Sequence, residues 1–395
     1  MRCVTERPIT VLRVIDRLNV GGPAIHAVLT TRGLDRARFR TVLVIGNVEP
    51  GEADMSYLLD ETGVKCVVIP TLGRELRPLR DLKTLWQLWR VIRRERPQII
   101  HTHKAKAGAL GRFAALLAGV PIRVHTYHGH VFHGYFSPMK TQFFLVVERL
   151  LAKVSSKLVA LSQTLVKELS ETYRIAPAEK FSIVPLGFDL APFSDCEARH
   201  RGELRRTLGV GAETRLVGIV GRMVPVKDHA TFVAAAARLL QRRDDVEFVF
   251  IGGGELEGEL RADVERRGLI GKMHFLGWQR HLERLYPDLD VVALSSVNEG
   301  TPVALIEAMC SGVPVVATRV GGVADLLGQG ERGELVPVKD PNSLADGIDR
   351  SLTREARDRA MRIRREVIEQ FGERRLCADL ERIYENLLRQ ARVIT

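Results

Sequence analysis

The sequence predicts an α/β protein made of two doubly wound parallel sheets in tandem, and three observations carry that expectation. Short apolar, β-branched runs alternate with longer amphipathic stretches from start to finish, the spacing of βαβ units. The alternation restarts after Pro185-Leu-Gly-Phe-Asp189 and the polar stretch Phe193–His200. At 395 residues the chain is too long for one ordinary core and fits two domains of roughly 150–200 residues. The expected division is 1–190, then 191–370, with 371–395 forming a C-terminal helix that returns to the first domain.

In the first half, strands are expected at Ile9–Ile15, Thr41–Ile45, Lys65–Ile69, Gln98–His101, Arg123–Tyr127 and Lys157–Leu161, each a short run rich in Val, Ile and Leu. Helices are expected between them at Ala24–Leu34, Pro78–Arg94 and Lys106–Ala118. The second series of strands is Leu216–Val220, Val246–Ile251, Met273–Leu276, Asp290–Leu294, Pro314–Ala317 and Gly333–Val336. Asp228–Gln241 and Pro302–Met309 read as its helices, and Arg354–Arg392 as helix with a mostly solvated, charged face. Two open α/β sheets in tandem are expected to place ligands in a cleft, at the carboxyl ends of the strands.

Composition narrows the class further. Hydrophobic residues make up 45% and charged residues 27%, the balance of a globular protein. The net charge of +11 is uneven: residues 1–190 hold 28 basic and 16 acidic side chains, a net of +12, and the remainder is at −1. The front half is therefore expected to face something anionic: nucleic acid, a membrane surface or a phosphorylated substrate. No apolar run approaches the roughly 18–20 residues that cross a bilayer. Glu6, Arg13 and Asp16 interrupt the N-terminus, which reads as a strand and not a signal peptide. Five cysteines without a CxxC pair suggest a reducing cytoplasm.

The densest motif runs from Ser295 to Glu307, S-S-V-N-E-G-T-P-V-A-L-I-E. A buried strand enters a loop, and a helix is expected to start at Thr301-Pro302, with Thr301 as N-cap and Pro302 in the first turn. The free N–H groups of such a terminus suit phosphate or sugar oxygens, and Glu299 and Glu307 can accept hydrogen bonds from polyols. A second motif, G-I-V-G-R-M-V-P-V-K-D, places Arg222 and Lys227 after the first strand of the second domain. There they can grip a diphosphate, Arg as a fork and Lys as a point charge. Ile251-Gly-Gly-Gly254 leaves room for close backbone approach to a ligand.

In E-G-T-P…E-A-M-x-S-G-V-P-V-V-A-T…G-G, and over essentially its whole length, the sequence resembles the retaining glycosyltransferases of the GT-B fold, family 4. The resemblance implies two Rossmann-like domains and a nucleotide-sugar donor, with UDP expected as the nucleotide. It gives Glu299 the sugar hydroxyls, Glu307 the ribose, Gly300, Thr301 and Pro302 the sugar and phosphates, and Arg222 and Lys227 the diphosphate. Gly221 and Gly253 join these as donor-binding positions. In the first domain Gly21 and Gly22 occupy the Gly-Gly position that family members commonly place near phosphates and acceptor; from the residues alone, a tight βα turn explains them equally well.

Six of the eleven histidines lie between His101 and His133. A metal site is set aside, because no Cys or acidic ligand accompanies them. The stretch instead matches a family subgroup of capsule and surface-glycan assembly, H-T-H-x-x-K-A-G-x-L-G-R followed by V-H-T-Y-H-G-H. It aligns His128 with an active-site His facing the donor sugar and puts His103, Lys106, Gly108 and His130 near the acceptor. The catalytic set is thus His128, Glu299, Arg222 and Lys227, with no metal and no cofactor beyond the nucleotide sugar. Asp288-Leu-Asp290 spells the Asp-x-Asp of metal-dependent transferases but leads straight into a buried strand, so it reads as structural.

The basic excess includes Arg74, Arg77, Arg80, Lys83, Arg90, Arg93, Arg94 and Arg96, interleaved with Leu82, Leu85, Trp86 and Trp89; Met139–Lys157 is similar. Basic amphipathic helices with Trp or Phe suit an anionic membrane interface, though their apolar stripes also suit packing on a sheet. The expected protein is cytoplasmic and peripheral to the inner membrane face. It moves a hexose or N-acetylhexosamine to a polyprenyl-diphosphate-linked or similar acceptor. An epimerase or phosphorylase on the same fold, or a soluble small-molecule acceptor, is the alternative. A dinucleotide oxidoreductase is disfavoured because both glycine motifs lack the third Gly of G-x-G-x-x-G. A nucleic-acid binder is disfavoured because no helix-turn-helix, RNP or zinc-finger pattern is present.

Overall fold

The computed structural model describes residues 8–19, 22–48, 54–73, 75, 77–129 and 138–393, which divide into two compact units. The first comprises residues 1–188 with 371–395, the second residues 189–370.

The first unit holds seven strands: β1 (Ile9–Val14), β2 (Phe39–Ile45), β3 (Cys66–Val68), β4 (Ile99–His103), β5 (Ile122–Tyr127), β6 (Lys157–Ala160) and β7 (Phe181–Ile183). They pair in the order β3-β2-β1-β4-β5-β6-β7, every pair parallel. Parallel sheets are covered on both faces, which is why β1, β4 and β5 are buried along almost their whole length instead of alternating, with Arg13, His101, His103 and His125 among the buried side chains. Strand β7 is not among the strands expected from the sequence. The strand order reverses between β1 and β4; the described histidines of this unit lie in β4 and β5, just after β5 and in the helix after β1.

The second unit has β8 (Arg215–Val220), β9 (Val246–Ile251), β10 (Met273–Phe275), β11 (Val291–Leu294), β12 (Val315–Thr318) and β13 (Glu334–Val336), in the parallel order β10-β9-β8-β11-β12-β13. Its core is organised by Phe232, which meets Phe248 and Phe250 edge-on at 5.6 and 5.4 Å. Here the order reverses between β8 and β11. In open α/β sheets that reversal is where a ligand binds, at the carboxyl ends of the strands.

Two expectations change. The helix after β11 starts at Val303, not at Thr301. Pro302 is extended (ψ 99°) and its carbonyl opens the helical ladder, so Thr301 makes no cap. The last stretch is two helices, Arg354–Phe371 and Glu373–Gln390. The second is far from merely solvated. Leu376, Cys377, Leu380, Tyr384, Leu387 and Leu388 recur every three or four positions and pack with Val11, Ile99, Val124 and Val159 of the first sheet. Each such burial is worth roughly 1.5–3 kcal/mol, enough to hold the chain's end on the first unit.

One polar network lies inside the first unit. The fully buried Arg112 donates to both carboxylate oxygens of Glu148 at 3.0 and 2.8 Å, and the Tyr127 hydroxyl donates to Glu148 at 2.7 Å. No helix among the described residues is long and apolar enough to cross a membrane.

Candidate functional site

In the second unit three loops meet at the switch point. Gly252, after β9, has φ +132°, and a Cβ there would lie 2.1 Å from the Gly221 carbonyl oxygen. Only glycine permits that backbone contact. The Met223 N–H then donates to the Gly253 carbonyl, which fixes the segment carrying Arg222 and Lys227. Arg222 is exposed. Lys227 Nζ donates to Glu299 Oε1 at 2.5 Å, and Ser296 Oγ donates to the same oxygen at 2.6 Å. Ser295 Oγ donates to the Lys227 carbonyl, and the Val297 N–H to that of Val226. The loops after β8 and β11 are thereby sewn together, and both bonds to the Glu299 carboxylate fall on Oε1.

Gly321 and Gly322 back this loop. Cβ atoms there would lie 1.8 Å from the Glu299 carbonyl oxygen and 2.2 Å from that of Gly300. The Gly322 N–H donates to the Glu299 carbonyl. Gly300 is exposed, Thr301 partly so and Pro302 buried. Glu307 stands apart from the Lys227–Glu299 pair, accepting from the Tyr286 hydroxyl at 3.0 Å. Burial pushes its carboxyl up to about 7, so it is part-protonated at neutral pH. Gly253 lies against Trp278: a Cβ at Gly253 would be 2.8 Å from the exposed indole's Nε1.

The Asp-x-Asp sequence is fully occupied. Asp288 accepts from the backbone N–H groups of Gly202, Leu204 and Arg205, anchoring the Glu203–Leu208 helix. Asp290 pairs with Arg205 at 2.9 Å and Arg215 at 3.1 Å and accepts from the Leu216 N–H. Such engaged carboxylates make a poor metal site.

In the first unit Gly22 opens the helix that follows β1, and its neighbour Gly21 lies outside the described residues, as does His130. His103 ends β4, and its Nδ1 lies 3.1 Å from His128 Nε2, just beyond β5. His26, from the Gly22–Gly33 helix, meets both rings edge-on at 5.4 and 5.0 Å. Behind them His101 stacks on His103 at 4.6 Å. Arg13 reaches His101 Nδ1 at 3.2 Å and Tyr384 reaches the same atom at 2.6 Å, so that nitrogen accepts and His101 Nε2 donates to Thr126. Burial holds His26, His101 and His103 well below the ordinary histidine range. Burial and the Lys104 cation bring His128 down to about 3. These are neutral imidazoles, and His103 and His128 share the hydrogen bond between them.

Lys106 is held away from that group. Its Nζ pairs with Asp81 at 2.6 Å and donates to the Glu75 carbonyl, and the side chain is buried. Gly108 is a packing position, since a Cβ there would lie 2.4 Å from the His125 ring. Sequence reading missed Ser296, Tyr286, His26 and Asp81. Of these only Ser296 sat inside a motif; the others are joined to the site by strand order alone.

Comparison with known proteins agrees with this fold. Residues 21–187 match the glycosyl transferase 4-like domain and residues 200–369 match glycosyl transferases group 1. The chain is 30% identical over 296 residues to the Escherichia coli UDP-Gal:alpha-D-GlcNAc-diphosphoundecaprenol alpha-1,3-galactosyltransferase, covering 74% of this chain and 76% of that one. Among solved structures, Anabaena HepE in complex with UDP superposes with a TM-score of 0.76 at 22% identity, over 96% of this chain and 100% of that one. A Rickettsia africae glycosyltransferase reaches 0.82 at 19% identity, over 97% and 99%. Two parallel-sheet units, a charged switch-point site on β8 and β11, and these matches together make the chain a member of the GT-B glycosyltransferases of family 4.

Proposed function

We propose that the protein transfers a hexose or N-acetylhexosamine from a nucleotide-diphosphate sugar, UDP-linked, to a lipid-diphosphate-linked saccharide, with retention at the anomeric carbon and without a metal. The observation that carries this reading is the Lys227–Glu299 pair at the β8/β11 switch point. A cation suited to a diphosphate and a carboxylate suited to sugar hydroxyls are held there in one rigid contact. The name of the 30%-identical E. coli relative, a UDP-Gal-dependent enzyme acting on a diphosphoundecaprenol-linked sugar, supports the donor and acceptor classes.

In this mechanism the donor's C–O bond to phosphate breaks as the acceptor oxygen bonds the anomeric carbon from the same face. The acceptor's proton passes to the departing phosphate oxygen. Arg222 and Lys227 offset the charge that develops there, which is worth roughly 3–4 kcal/mol per well-placed donor. Glu299 orients the sugar hydroxyls and Glu307 the ribose. His128, being neutral, serves as a hydrogen-bonding partner of the sugar and not as a counter-cation.

Glu307 gives the donor site a pH signature. Ribose hydroxyls donate to a carboxylate, so donor binding releases the proton that burial retains near pH 7. Donor affinity should therefore rise between about pH 6 and 8, and Glu307→Gln should flatten that slope in calorimetric titrations with UDP-sugar. An unchanged slope in Glu307→Gln contradicts the ribose assignment. The stability effect runs the other way. With a raised folded-state value, Glu307's contribution is complete below the usual carboxylate range and is lost as pH rises through about 7.

The acceptor's lipid calls for a membrane surface, and three helices of the first unit supply one. Pro78–Glu95 buries Thr84, Leu88, Val91 and Ile92 yet leaves Leu79, Leu82, Trp86 and Trp89 exposed. Arg90 stacks on Trp86 at 4.7 Å. Phe113, Leu116 and Leu117 of the Ala105–Leu117 helix and Phe143, Val146 and Leu150 of Pro138–Val154 are also exposed. Packing on the sheet accounts for the first set only; the second is a surface for an anionic interface. Flotation with phosphatidylglycerol vesicles should carry the protein, and Trp86→Ala with Arg90→Glu should release it. Equal flotation of that variant contradicts this docking face.

A further inference from the structure

We propose that His26, His103 and His128 form a capture site for a borderline divalent cation of the Zn²⁺ class, and that occupancy inhibits sugar transfer. One ring nitrogen of each residue lies within 4.8 Å of the other two. His103 Nδ1 and His128 Nε2 are already 3.1 Å apart. Two nitrogens bound to one tetrahedral ion, each at about 2.0–2.1 Å, sit roughly 3.3 Å apart, so the pair needs little movement.

Hydrogen bonding supplies the second observation. Both nitrogens of His26, Nε2 of His103 and Nδ1 of His128 are buried with no partner among the described residues. His26 has no partner on either nitrogen, and the His103–His128 bond occupies the lone pair of only one of those two rings. An ion bound by His103 Nδ1, His128 Nε2 and one His26 nitrogen replaces that bond and gives the His26 ring its partner. The donor set selects the metal: three imidazoles suit Zn²⁺, Cu²⁺, Ni²⁺ or Co²⁺, whereas Mg²⁺ and Ca²⁺ need oxygens. His101 is not a fourth ligand, because both its nitrogens are committed.

The surroundings argue for exchangeable binding and against a permanent structural ion. Among the described residues no carboxylate hydrogen-bonds the three rings as outer-shell partner, and the Arg13 guanidinium lies beyond the His101 ring. Lys104 pairs at 3.0 Å with Asp16, a carboxylate that Arg17 shares. His128 is the partly exposed member and gives an entry path. A metal on His128 removes the nitrogen that the sugar would use. Binding stands on the geometry alone; inhibition rests on the role proposed for His128.

The test uses the full-length, tag-free chain stripped with EDTA. Titration with Co²⁺ should give the intense visible bands of a tetrahedral site at one equivalent, and Zn²⁺ should bleach them. His26→Gln, and separately His103→Gln, should each weaken Co²⁺ binding at least tenfold, with folding confirmed by thermal denaturation. In a transfer assay Zn²⁺ should inhibit the wild type reversibly, while whatever activity His26→Gln retains should resist the metal. Weak octahedral spectra, or equal Co²⁺ affinity in both folded variants, overturns the site. Tight tetrahedral binding without inhibition overturns the inhibitory half, and with it the role of His128.

Discussion

Replacing Lys227 with Met lowers kcat for sugar transfer by about 10²–10³-fold, the loss typical when one placed donor is removed from a developing oxyanion. Lys227 carries the effect because it is fixed. Its carbonyl is held by Ser295, its neighbour Val226 by Val297, and its ammonium by Glu299. Arg222 is exposed and should cost less when changed to Met, with more of its effect in KM. Glu299→Ala belongs with Lys227→Met, since it removes the carboxylate proposed to hold the sugar and frees the lysine. Both residues of the pair keep some solvent contact, so melting temperatures should shift only slightly. Steady-state kinetics beside a melting curve checks this, and wild-type kcat in a folded Lys227→Met protein contradicts the diphosphate assignment.

The second large effect is on stability. Glu148→Ala should destabilise the first unit by about 3–5 kcal/mol, because it leaves the fully buried Arg112 guanidinium without its bidentate partner and the Tyr127 hydroxyl without an acceptor. For a unit of this size that amounts to a fall in Tm of roughly 6–20 °C. The double change Arg112→Met with Glu148→Leu should recover much of it, as apolar replacements for a buried pair often do. Scanning calorimetry reads both variants. A Tm within about 2 °C of wild type for Glu148→Ala contradicts the network's structural role.

Much of this architecture was legible because parallel strands buried on both faces write near-continuous Val, Ile and Leu runs. The runs at Ile9, Val246 and Val291 all fall within a residue or so of the strands they predict. The helix start at Thr301 was misjudged because Pro302 takes an extended ψ that the motif does not announce. The Lys227–Glu299 contact joins residues 72 apart, and two motifs flagged both ends. Tyr286 and His26 lacked such flags, although motifs named their partners Glu307, His103 and His128. Tyr286 lies in a short 3₁₀ turn and His26 in an apolar helix, and only the strand order brings them to their partners. Lys106 shows the converse: it sits in a conspicuous motif yet pairs with Asp81.

The central claim is metal-independent transfer from a UDP-sugar to a lipid-diphosphate-linked saccharide with retention. It is tested most directly by measuring UDP release from UDP-hexoses in EDTA, with and without such an acceptor, and by reading the product's anomeric configuration by NMR. The account predicts UDP formed only when acceptor is present, one per glycosidic bond, with an α-linked product from an α-linked donor. UDP released together with a free epimerised sugar in the absence of acceptor, or a β-linked product, would contradict it.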